Sequence, residues 1–528
     1  MRSLGQISVT EQEFIELAPD HRVIPVTMTL LADAHTPLSI YHALAGGRPG
    51  TFLMESAAVG GVWSRHSFIG VNSVATLTER EGRAHWLGTP PAGTPREGTS
   101  AEVLRETLAF LTGERGRAHT DVMPHLSSGL VGYIGWEVVR HWEKLSARPQ
   151  DDLGIPEMAM NLISDLAVHD NRDGTVTLVA NAINYDGRAT GVERAYHDAV
   201  RRLHRMRETL ARPVRPQLAV TEPELGRSVE SDMAHAVEHS WEESEYLAAL
   251  SRAKQAIVDG EVFQIVVSRR FEVATSVDAV SVYRMLRLLN PSPYMYLFHF
   301  ETPDGEPYQV IGASPEALVT VQDDLVVTHP IAGTRPRGAT EIEDQELAAD
   351  LLADEKERAE HLMLVDLARN DLAKVCRPGS VQVTQFMAVE RFSHVMHMTS
   401  HVQGELDASA EPYDVLAATF PAGTLSGAPK PRALQLLDAW EPAQRGVYGG
   451  VVGYFDLSGR MDMAIAIRSA LLKGGRAYVQ AGGGIVADSV FDDERVETLN
   501  KAAAPLRAVL SAGRLSPAVP AEPDGDPV

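Results

Sequence analysis

The stretch VYGGVVGYFDLSGRMDMAIAIRSALL, residues 447–472, decides the fold class. It contains strand-like segments that follow one another directly, with turn-forming residues between them. The same pattern recurs in five earlier segments, at residues 262–273, 294–300, 309–314, 318–330 and 380–398. Strands joined by hairpins indicate an antiparallel sheet rather than a regular alternation of parallel strands and helices. With helices interspersed, the sequence predicts an α+β protein.

The N-terminal part of the sequence mixes short strands and helices. The predicted elements are strands at 26–33 and 51–56, a hairpin at 165–182 with Asp173-Gly174 in its turn, and helices at 100–113 and 191–212. A polar, proline-bearing stretch without periodicity then indicates a linker. The predicted boundaries are an N-terminal α/β region at 1–212, a linker at 213–239, a second region at 240–511 and a disordered tail at 512–528.

Composition and charge exclude several classes of protein. The chain has 528 residues, of which 44% are hydrophobic and 23% charged, as expected for a globular protein with more than one domain. Its net charge of −23 argues against a nucleic acid or an anionic membrane as partner. The single cysteine, Cys376, excludes a disulfide framework and a cysteine-based zinc site within the chain. Without a signal-like or membrane-spanning apolar run, we expect a cytoplasmic protein.

The helix predicted at residues 354–372 carries two glutamates on its apolar stripe. Leu364 and Leu367 share one face at helical spacing, and the same line continues to Glu360 and Glu357. Carboxylates directed toward a core are costly unless a positive group meets them there. The competing interpretation is a solvated face that includes neighbouring basic residues.

A second pair of glutamates with the same spacing is formed by Glu494 and Glu497. We expect Asp492 or Asp493 to cap the helix that carries them, and acids in a first turn are also explained by the helix dipole. Four carboxylates from two helices nevertheless form an all-oxygen site of the kind that Mg²⁺ prefers. Zinc would instead favour histidine or cysteine ligands.

Two glycine-rich segments are candidates for anion binding. QAGGGIVA, at 480–487, fits a loose dinucleotide fingerprint, but its backbone N–H groups could equally bind a carboxylate or simply form tight turns. PAGTLSGAPK, at 421–430, lacks the Gly-Lys-Ser/Thr order of a phosphate-binding loop and leads into a helix whose N–H groups could face an anion. Arg468, in an alternating strand, is a candidate for an inward-facing cation.

Three histidines lie close together in FSHVMHMTSH: His394, His397 and His401. Such a cluster is compatible with zinc. Single histidines are more often structural, so the sequence leaves both interpretations open.

Seven segments resemble the chorismate-utilising enzymes. They are GASPEALV (312–319), HPIAGTRPRG (329–338), DEKERAEHLMLVDLARNDLAKVCRPGS (354–380), FSHVMHMTSHVQGEL (392–406), GTLSGAPKPRA (423–433), YGGVVGYF (448–455) and QAGGGIVADS (480–489). The resemblance is close over about residues 240–511, weaker over most of the N-terminal part, and most specific for the synthase subunits that make anthranilate. It implies two large, mainly antiparallel sheets packed as a sandwich between helices. An N-terminal regulatory region would pack on this chorismate-binding domain.

For the two glutamate pairs, the resemblance implies a Mg²⁺ site. Glu360 and Glu497 would be direct ligands, and Glu357 and Glu494 would act mostly through water. The metal would bind the ring carboxylate of chorismate.

The resemblance also implies the residues around the substrate. The groups that would bind its carboxylates are Tyr448, Arg468 and the backbone of Gly482, Gly483 and Gly484. The groups that would line the ring and the leaving hydroxyl are Gly333, Thr334 and Thr424. Glu316 would be the general acid that protonates the departing hydroxyl, and His397 would assist the later loss of pyruvate.

Two positions bear on the reaction within this family. Relatives that add water to chorismate carry a lysine base where this chain has Gln264, and aminodeoxychorismate synthases usually carry a lysine where it has Ala332. Together, these residues favour amination of chorismate by ammonia, followed by pyruvate elimination to give anthranilate. Such a lyase catalyses the first committed step of tryptophan biosynthesis. A relative that releases the aminated intermediate is excluded less well.

The chain lacks the signature of a glutaminase. Such an enzyme needs a nucleophilic cysteine in a glycine-flanked elbow, and Cys376 in AKVCRPG matches no elbow of that kind. The resemblance therefore implies a separate glutamine amidotransferase subunit as partner, in a heterotetramer, with ammonia passing between the subunits.

A feedback site for tryptophan is implied by two further segments, FLMES (52–56) and NPSPYMY (290–296). The positions that the resemblance assigns to it are Glu55, Ser56, Arg65, Asn290, Pro293, Tyr294 and Met295. The competing interpretation of these segments is a strand and a proline-rich turn.

Three rival functions stay open at the level of the sequence. An aminodeoxychorismate synthase would need a further lyase to complete its reaction. A catalytically silent amino-acid sensor would keep only the tryptophan site, and a dinucleotide-binding oxidoreductase would use the glycine-rich segment at 480–487.

Overall fold

The computed structural model describes residues 4–57, 65–113, 126–145, 147–183, 191–212, 218–221, 235–391 and 395–517, together with residues 229, 231 and 233. Within these residues the helices are α1 (Glu11–Leu17), α2 (Pro37–Leu44), α3 (Ser100–Thr112), α4 (Val192–Leu210), α5 (Glu243–Val258), α6 (Ala279–Leu289), α7 (Glu341–Ala353), α8 (Glu355–Ala373), α9 (Pro412–Thr419), α10 (Lys430–Trp440) and α11 (Phe491–Ala512). A short 3-10 helix covers Trp136–His141. None of these helices is both long and apolar enough to cross a membrane.

The strands of the described residues dominate the architecture. They are β1 (Val23–Leu31), β2 (Thr51–Glu55), β3 (His66–Arg80), β4 (Arg83–Gly88), β5 (Gly129–Ile134), β6 (Met158–Asp170), β7 (Thr175–Ile183), β8 (Ala219–Val220), β9 (Glu238–His239), β10 (Gln264–Ala274), β11 (Tyr294–Glu301), β12 (Pro307–Ser314), β13 (Ala317–Gln322), β14 (Leu325–Thr328), β15 (Ile331–Pro336), β16 (Gln382–Arg391), β17 (Val395–Glu405), β18 (Gly427–Ala428), β19 (Val451–Asp456), β20 (Met461–Ile465), β21 (Ser469–Lys473), β22 (Arg476–Ile485) and β23 (Ser516–Pro517).

Antiparallel pairing joins 21 of these strands into one hydrogen-bonded network. The stretch at 447–472 forms β19, β20 and the start of β21, and β19 pairs antiparallel with β20 from Val451↔Ile465 to Phe455↔Met461. The predicted antiparallel α+β architecture is therefore confirmed. One detail of the prediction is wrong: Arg468 does not lie in a strand but between β20 and β21, with φ of +53°, so alternation along a strand does not set its direction.

Strands from the N-terminal part belong to the same network as those from the C-terminal part. Strand β2 pairs with β11, and β5 pairs with β19. At the C-terminal end, β23 pairs with β8, and residues 518–528 lie outside the described residues. The proposed boundaries at residues 212, 239 and 511 stay a prediction.

The apolar core has three large parts. One is built almost wholly from strand residues, including Phe52, Tyr133, Phe298 and Val310. The other two contain helix residues packed against strands, so the helices cover the outer faces. Burial of these side chains is the main stabilising contribution to the fold. It also fixes the positions of the strands and helices that carry the functional side chains.

Candidate active site

The first glutamate pair lies at the start of helix α8. Asp354 caps the helix by accepting a hydrogen bond from the N–H of Glu357 at 3.1 Å. Both glutamates lie inside α8, but Glu357 falls in the first turn of the helix. Glu357 is therefore favoured by the helix dipole, whereas Glu360 lies one turn further on.

The second pair lies in helix α11. The predicted aspartate cap is wrong, because the cap position is Val490 and both Asp492 and Asp493 lie inside the first turn. Glu494 is buried, and its Oε1 accepts a hydrogen bond of 2.7 Å from Ser489 Oγ. Its Oε2 is buried without a hydrogen-bond partner among the described residues. An unpaired buried carboxylate oxygen is costly, so this atom fits a positive ligand.

The four-glutamate cluster, defined as Glu357, Glu360, Glu494 and Glu497, is assembled through strands β10 and β22. Gln264 Nε2 donates to Glu360 Oε1 at 3.1 Å. A Cβ atom on Gly484 would lie 2.7 Å from that same Nε2, and one on Gly483 would lie 2.9 Å from Glu494 Oε2. The glycines thus bring the β22 backbone against both helices.

Repulsion and burial act on this cluster together. Burial raises the pKa of Glu360, and the charges of Glu357 and Glu497 raise it further. Burial also raises the pKa of Glu357 and of Glu494, and Glu497 contributes in both cases. The Glu497 charge therefore disfavours the ionised form of the other three carboxyl groups, and a bound cation would relieve this repulsion.

Glu497 differs from the other three members of the cluster. Its side chain is 51% exposed, and it forms an ion pair of 2.6 Å with Lys501, one helical turn further on. In the described parts of the chain, no three His, Cys, Asp or Glu side chains stand close enough together to surround one ion. The donor set, which consists of carboxylate oxygens, is suited to a hard cation such as Mg²⁺.

The three glycines at 482–484 lie inside strand β22 and pair with residues 266–268 of β10. A dinucleotide fingerprint requires a loop that leads directly into a helix, so that interpretation is wrong for this segment. Gly482 lies beside the Tyr448 hydroxyl, which would be 3.1 Å from an added Cβ. Side chains here would fill the space between β22 and the groups that surround it.

Arg468 provides the positive charge on this side of the site. Burial lowers its pKa, while Tyr448, Glu497 and Glu316 act in the opposite direction. Among the described residues no carboxylate forms an ion pair with its guanidinium. A cation held in this position without a partner is suited to an anionic ligand.

Glu316 faces Thr424 across the site. Thr424 Oγ1 donates to Glu316 Oε1 at 3.2 Å. Burial raises the pKa of Glu316 to about 7, although the hydrogen bond and the charges of Lys501 and Arg468 lower it. A carboxyl group with this pKa holds a proton that it can donate near neutral pH.

His397 lies beside the predicted ring-binding residues of strand β15. Its Nδ1 is 3.0 Å from Thr334 Oγ1 and 3.1 Å from the Gly333 carbonyl oxygen. Gly333 has φ of +68°, and an added Cβ would lie 3.1 Å from Glu357 Oε2. Burial lowers the pKa of His397, so the neutral imidazole is favoured.

The histidine cluster shows no metal geometry in the described residues. His394 lies outside them. His401 packs edge-on against His329 with ring centroids 4.1 Å apart. This is a ring-packing contact and not an arrangement of metal ligands.

The two segments of the predicted inhibitor site meet in one open pocket, whose empty space of about 470 Å³ includes part of the surrounding solvent. Strands β2 and β11 pair with Met295 opposite Glu55, and Ser56, Pro293 and Tyr294 also line the cavity. Further lining residues that the sequence did not indicate are His66, Phe68, Tyr454 and Asp462.

Two predicted members of that site lie outside the cavity lining. Arg65 forms an ion pair of 2.8 Å with Asp170, and Asn290 lies at the C-terminal end of α6. The buried Glu55 carboxylate is already engaged, because Tyr283 Oη donates to it at 2.5 Å and Arg287 Nε lies 2.8 Å away.

One basic residue of the site was missed at the level of the sequence. Lys501 Nζ donates to the Gly482 carbonyl oxygen at 3.1 Å in addition to its ion pair with Glu497. Its spacing of four residues from Glu497 places the two on one helix face and could have identified it.

Comparison with known proteins agrees with this arrangement. Residues 52–507 match the family described as chorismate binding enzyme. The chain is 61% identical over 515 residues to anthranilate synthase component 1 of Arthrobacter globiformis, covering 98% of this chain and 95% of that protein. It is 50% identical over 510 residues to the protein of the same name from Mycolicibacterium smegmatis, covering 96% and 95% respectively.

The fold is likewise similar to that of a solved relative. The crystal structure of anthranilate synthase component I from Streptococcus pneumoniae TIGR4 superposes with a TM-score of 0.70 at 34% identity, covering 85% of this chain and 93% of that one. The chain therefore belongs to the chorismate-binding enzymes and, within them, to the anthranilate synthase component I group.

Proposed function

We propose that this chain catalyses the Mg²⁺-dependent amination of chorismate by ammonia, followed by elimination of pyruvate to give anthranilate, in the cytoplasm. The observation that carries the proposal is the half-buried Glu316, whose pKa of about 7 and hydrogen bond from Thr424 suit a general acid. Hydroxide is a poor leaving group, so the ring hydroxyl must be protonated as ammonia adds.

The choice of ammonia over water is supported by Gln264. Its amide donates to Glu360 and has no basic nitrogen that could deprotonate water. Ammonia needs no base to become nucleophilic, whereas water does.

The substrate carries two carboxylates, and two sets of groups suit them. Arg468 and Tyr448 lie together on one side, and Gly482–Gly484 have no side chains that would cover the backbone N–H groups of β22 that point away from β10. His397, held neutral by burial, would accept the ring proton that leaves as pyruvate is eliminated.

The residues that would hold Mg²⁺ are Glu360 and Glu497 directly, with Glu357 and Glu494 acting through water. The unpartnered Oε2 of Glu494 and the mutual repulsion within the four-glutamate cluster support this assignment. When bound, the metal would neutralise a carboxylate of chorismate and fix it in place.

Ammonia would come from a glutamine amidotransferase subunit. Within the described residues, the only cysteine, Cys376, is buried, and burial raises the pKa of its thiol to about 11. A thiol with this pKa is not a nucleophile at neutral pH.

Tryptophan would act as a feedback inhibitor in the cavity between β2 and β11. Its aromatic lining and its rim at Ser56 suit an indole and a polar amino-acid group. The engaged Glu55 carboxylate would then hold the cavity wall through Tyr283 rather than contact the ligand.

The test is incubation of the purified chain with chorismate, Mg²⁺ and ammonium, with and without tryptophan. We expect fluorescent anthranilate and pyruvate to appear together, and tryptophan to reduce both. Product that becomes aromatic only after an added lyase would instead identify an aminodeoxychorismate synthase. Tight tryptophan binding without turnover would identify a sensor.

A further inference from the structure

Arg445 lies beneath the candidate active site and is 2% exposed. Its Nη1 donates to the Leu425 carbonyl oxygen at 2.7 Å, and its Nη2 donates to the Val266 carbonyl oxygen at 2.8 Å. Its Nε and Nη2 each donate to Glu441 at 2.7 Å. The guanidinium also packs over the Trp136 ring at 4.1 Å, a favourable cation–π contact.

Both backbone carbonyls that accept from this guanidinium belong to segments that adjoin groups of the site. Leu425 follows Thr424, which donates to Glu316. Val266 pairs with Gly484 in β22. Tyr448 lies three residues beyond Arg445, with its ring 5.7 Å from the guanidinium.

The surrounding acids complete a buried unit, which we call the guanidinium cluster: Arg445, Glu441 and Glu137. Glu137, from the N-terminal part, accepts the N–H groups of Arg445 and Gly446 at 3.1 Å each. Glu441 also accepts the N–H and hydroxyl of Ser268 at 3.0 and 2.9 Å. All three nitrogens of the guanidinium are therefore used inside the protein, so Arg445 does not contact substrate.

We infer that Arg445 is a positioning residue, which fixes Thr424, Tyr448 and the β22 glycines relative to one another through one planar guanidinium. The inference rests on the proposed function and deepens it. A lysine could reach fewer of these acceptors, because an ammonium lacks the planar set of donors of a guanidinium.

A matched control exists in Arg202 of helix α4. Its guanidinium also donates to two backbone carbonyls, those of Ser164 and Asn181, and pairs with the buried Asp165. These acceptors lie on β6 and β7 and carry none of the groups of the site. Loss of Arg202 therefore removes the same kinds of bond at a place that does not position the site.

The experiment measures kcat and KM for chorismate, with ammonium and Mg²⁺, for the wild type, Arg445→Met, Arg445→Lys and Arg202→Met. For Arg445→Met we expect kcat/KM to fall about 100-fold, with KM raised and kcat lowered together, because displacement by about 1 Å has costs of this size. Arg445→Lys should recover part of both parameters. Arg202→Met should stay within about threefold of the wild type, since its bonds lie outside the positioned segments.

A purely structural role would give a different pattern. It would lower the folded fraction, and hence the apparent kcat, while KM stayed unchanged, and that result for Arg445→Met overturns the inference. If Arg445→Met does not fold, the double variant Arg445→Met/Glu441→Gln removes both buried charges and is measured in its place, with the same expectation and the same overturning result. A wild-type chain that makes no anthranilate overturns the proposed function and the inference with it. If the wild type is active and Arg445→Met has the same kcat and KM as Arg202→Met, the inference alone is overturned.

Discussion

Two acidic clusters contact strand β10 in this protein, and they compensate buried charge in opposite ways. The guanidinium cluster contains its own cation, and its carboxylates accept hydrogen bonds from Arg445 and from backbone N–H groups. Among the described residues, the four-glutamate cluster has two ion pairs, Glu497 with Lys501 at 2.6 Å and Glu357 with Arg335 at 3.7 Å, and Glu494 Oε2 has no hydrogen-bond partner. The first is electrostatically complete, and the second is complete only with an added cation.

This difference suits the two clusters to different roles: the guanidinium cluster to positioning backbone segments, and the four-glutamate cluster to binding a cation. A carboxylate with satisfied hydrogen bonds holds backbone segments in place, so its removal should act first on stability. Carboxylates that raise one another's pKa destabilise the chain without a cation and gain when one binds. Removal of one of these should act first on function.

The largest expected effect is on activity in the four-glutamate cluster. Glu360→Gln keeps an acceptor for Gln264 but removes a metal-binding charge, so we expect kcat/KM for chorismate to fall by about 10³-fold. The steady-state rate of anthranilate formation at saturating Mg²⁺ measures this. Activity within tenfold of the wild type would show that the cluster is not the metal site.

The next largest effect is on stability in the guanidinium cluster. Glu441→Gln leaves the buried Arg445 without its ion-pair partner, so the free energy of unfolding should fall by about 3 kcal/mol. Chemical denaturation without metal measures it, with Glu360→Gln as the matched variant that should lose none. Equal losses in the two variants would erase the contrast between the clusters.

The pH dependence of turnover tests the role of Glu316 as the general acid, which Thr424 holds by a hydrogen bond. Glu316 must be protonated to act, and its pKa is raised to about 7, so kcat should fall about tenfold per pH unit above that value. Glu316→Gln should be slow and lose this dependence. A wild-type kcat that stays constant from pH 6 to 9 would assign the proton to another group.

The smallest effect concerns the stability of the metal-free chain. The pKa values of Glu357, Glu360 and Glu494 are raised on folding, so the folded chain binds protons more tightly than the unfolded chain. Their stabilising contribution is thus present at low pH and lost as pH rises through the folded pKa values. As the pH is lowered from 7, the thermal unfolding temperature of the metal-free chain should rise more in the wild type than in Glu360→Gln. No difference between the two would remove the evidence for repulsion.

The sequence predicted those features that follow from local spacing. The hairpins of β19 to β21 and the two glutamate pairs repeat at strand and helix periods, and the segments around them carry a family resemblance. Features that depend on contacts distant in sequence were not predictable: the positive φ of Arg468, the engagement of Arg65 by Asp170, and the reach of Arg445 to Leu425 and Val266. No periodicity records which backbone carbonyl a buried guanidinium meets.

The most direct test that the four glutamates hold a metal is a calorimetric titration of Mg²⁺ into the metal-free chain saturated with chorismate in the absence of ammonia. We expect one ion bound per chain in the wild type and in Arg202→Met, and no binding in Glu360→Gln. A wild type that binds no Mg²⁺, or a Glu360→Gln variant that binds it as tightly as the wild type, would show that the four-glutamate cluster is not a Mg²⁺ site.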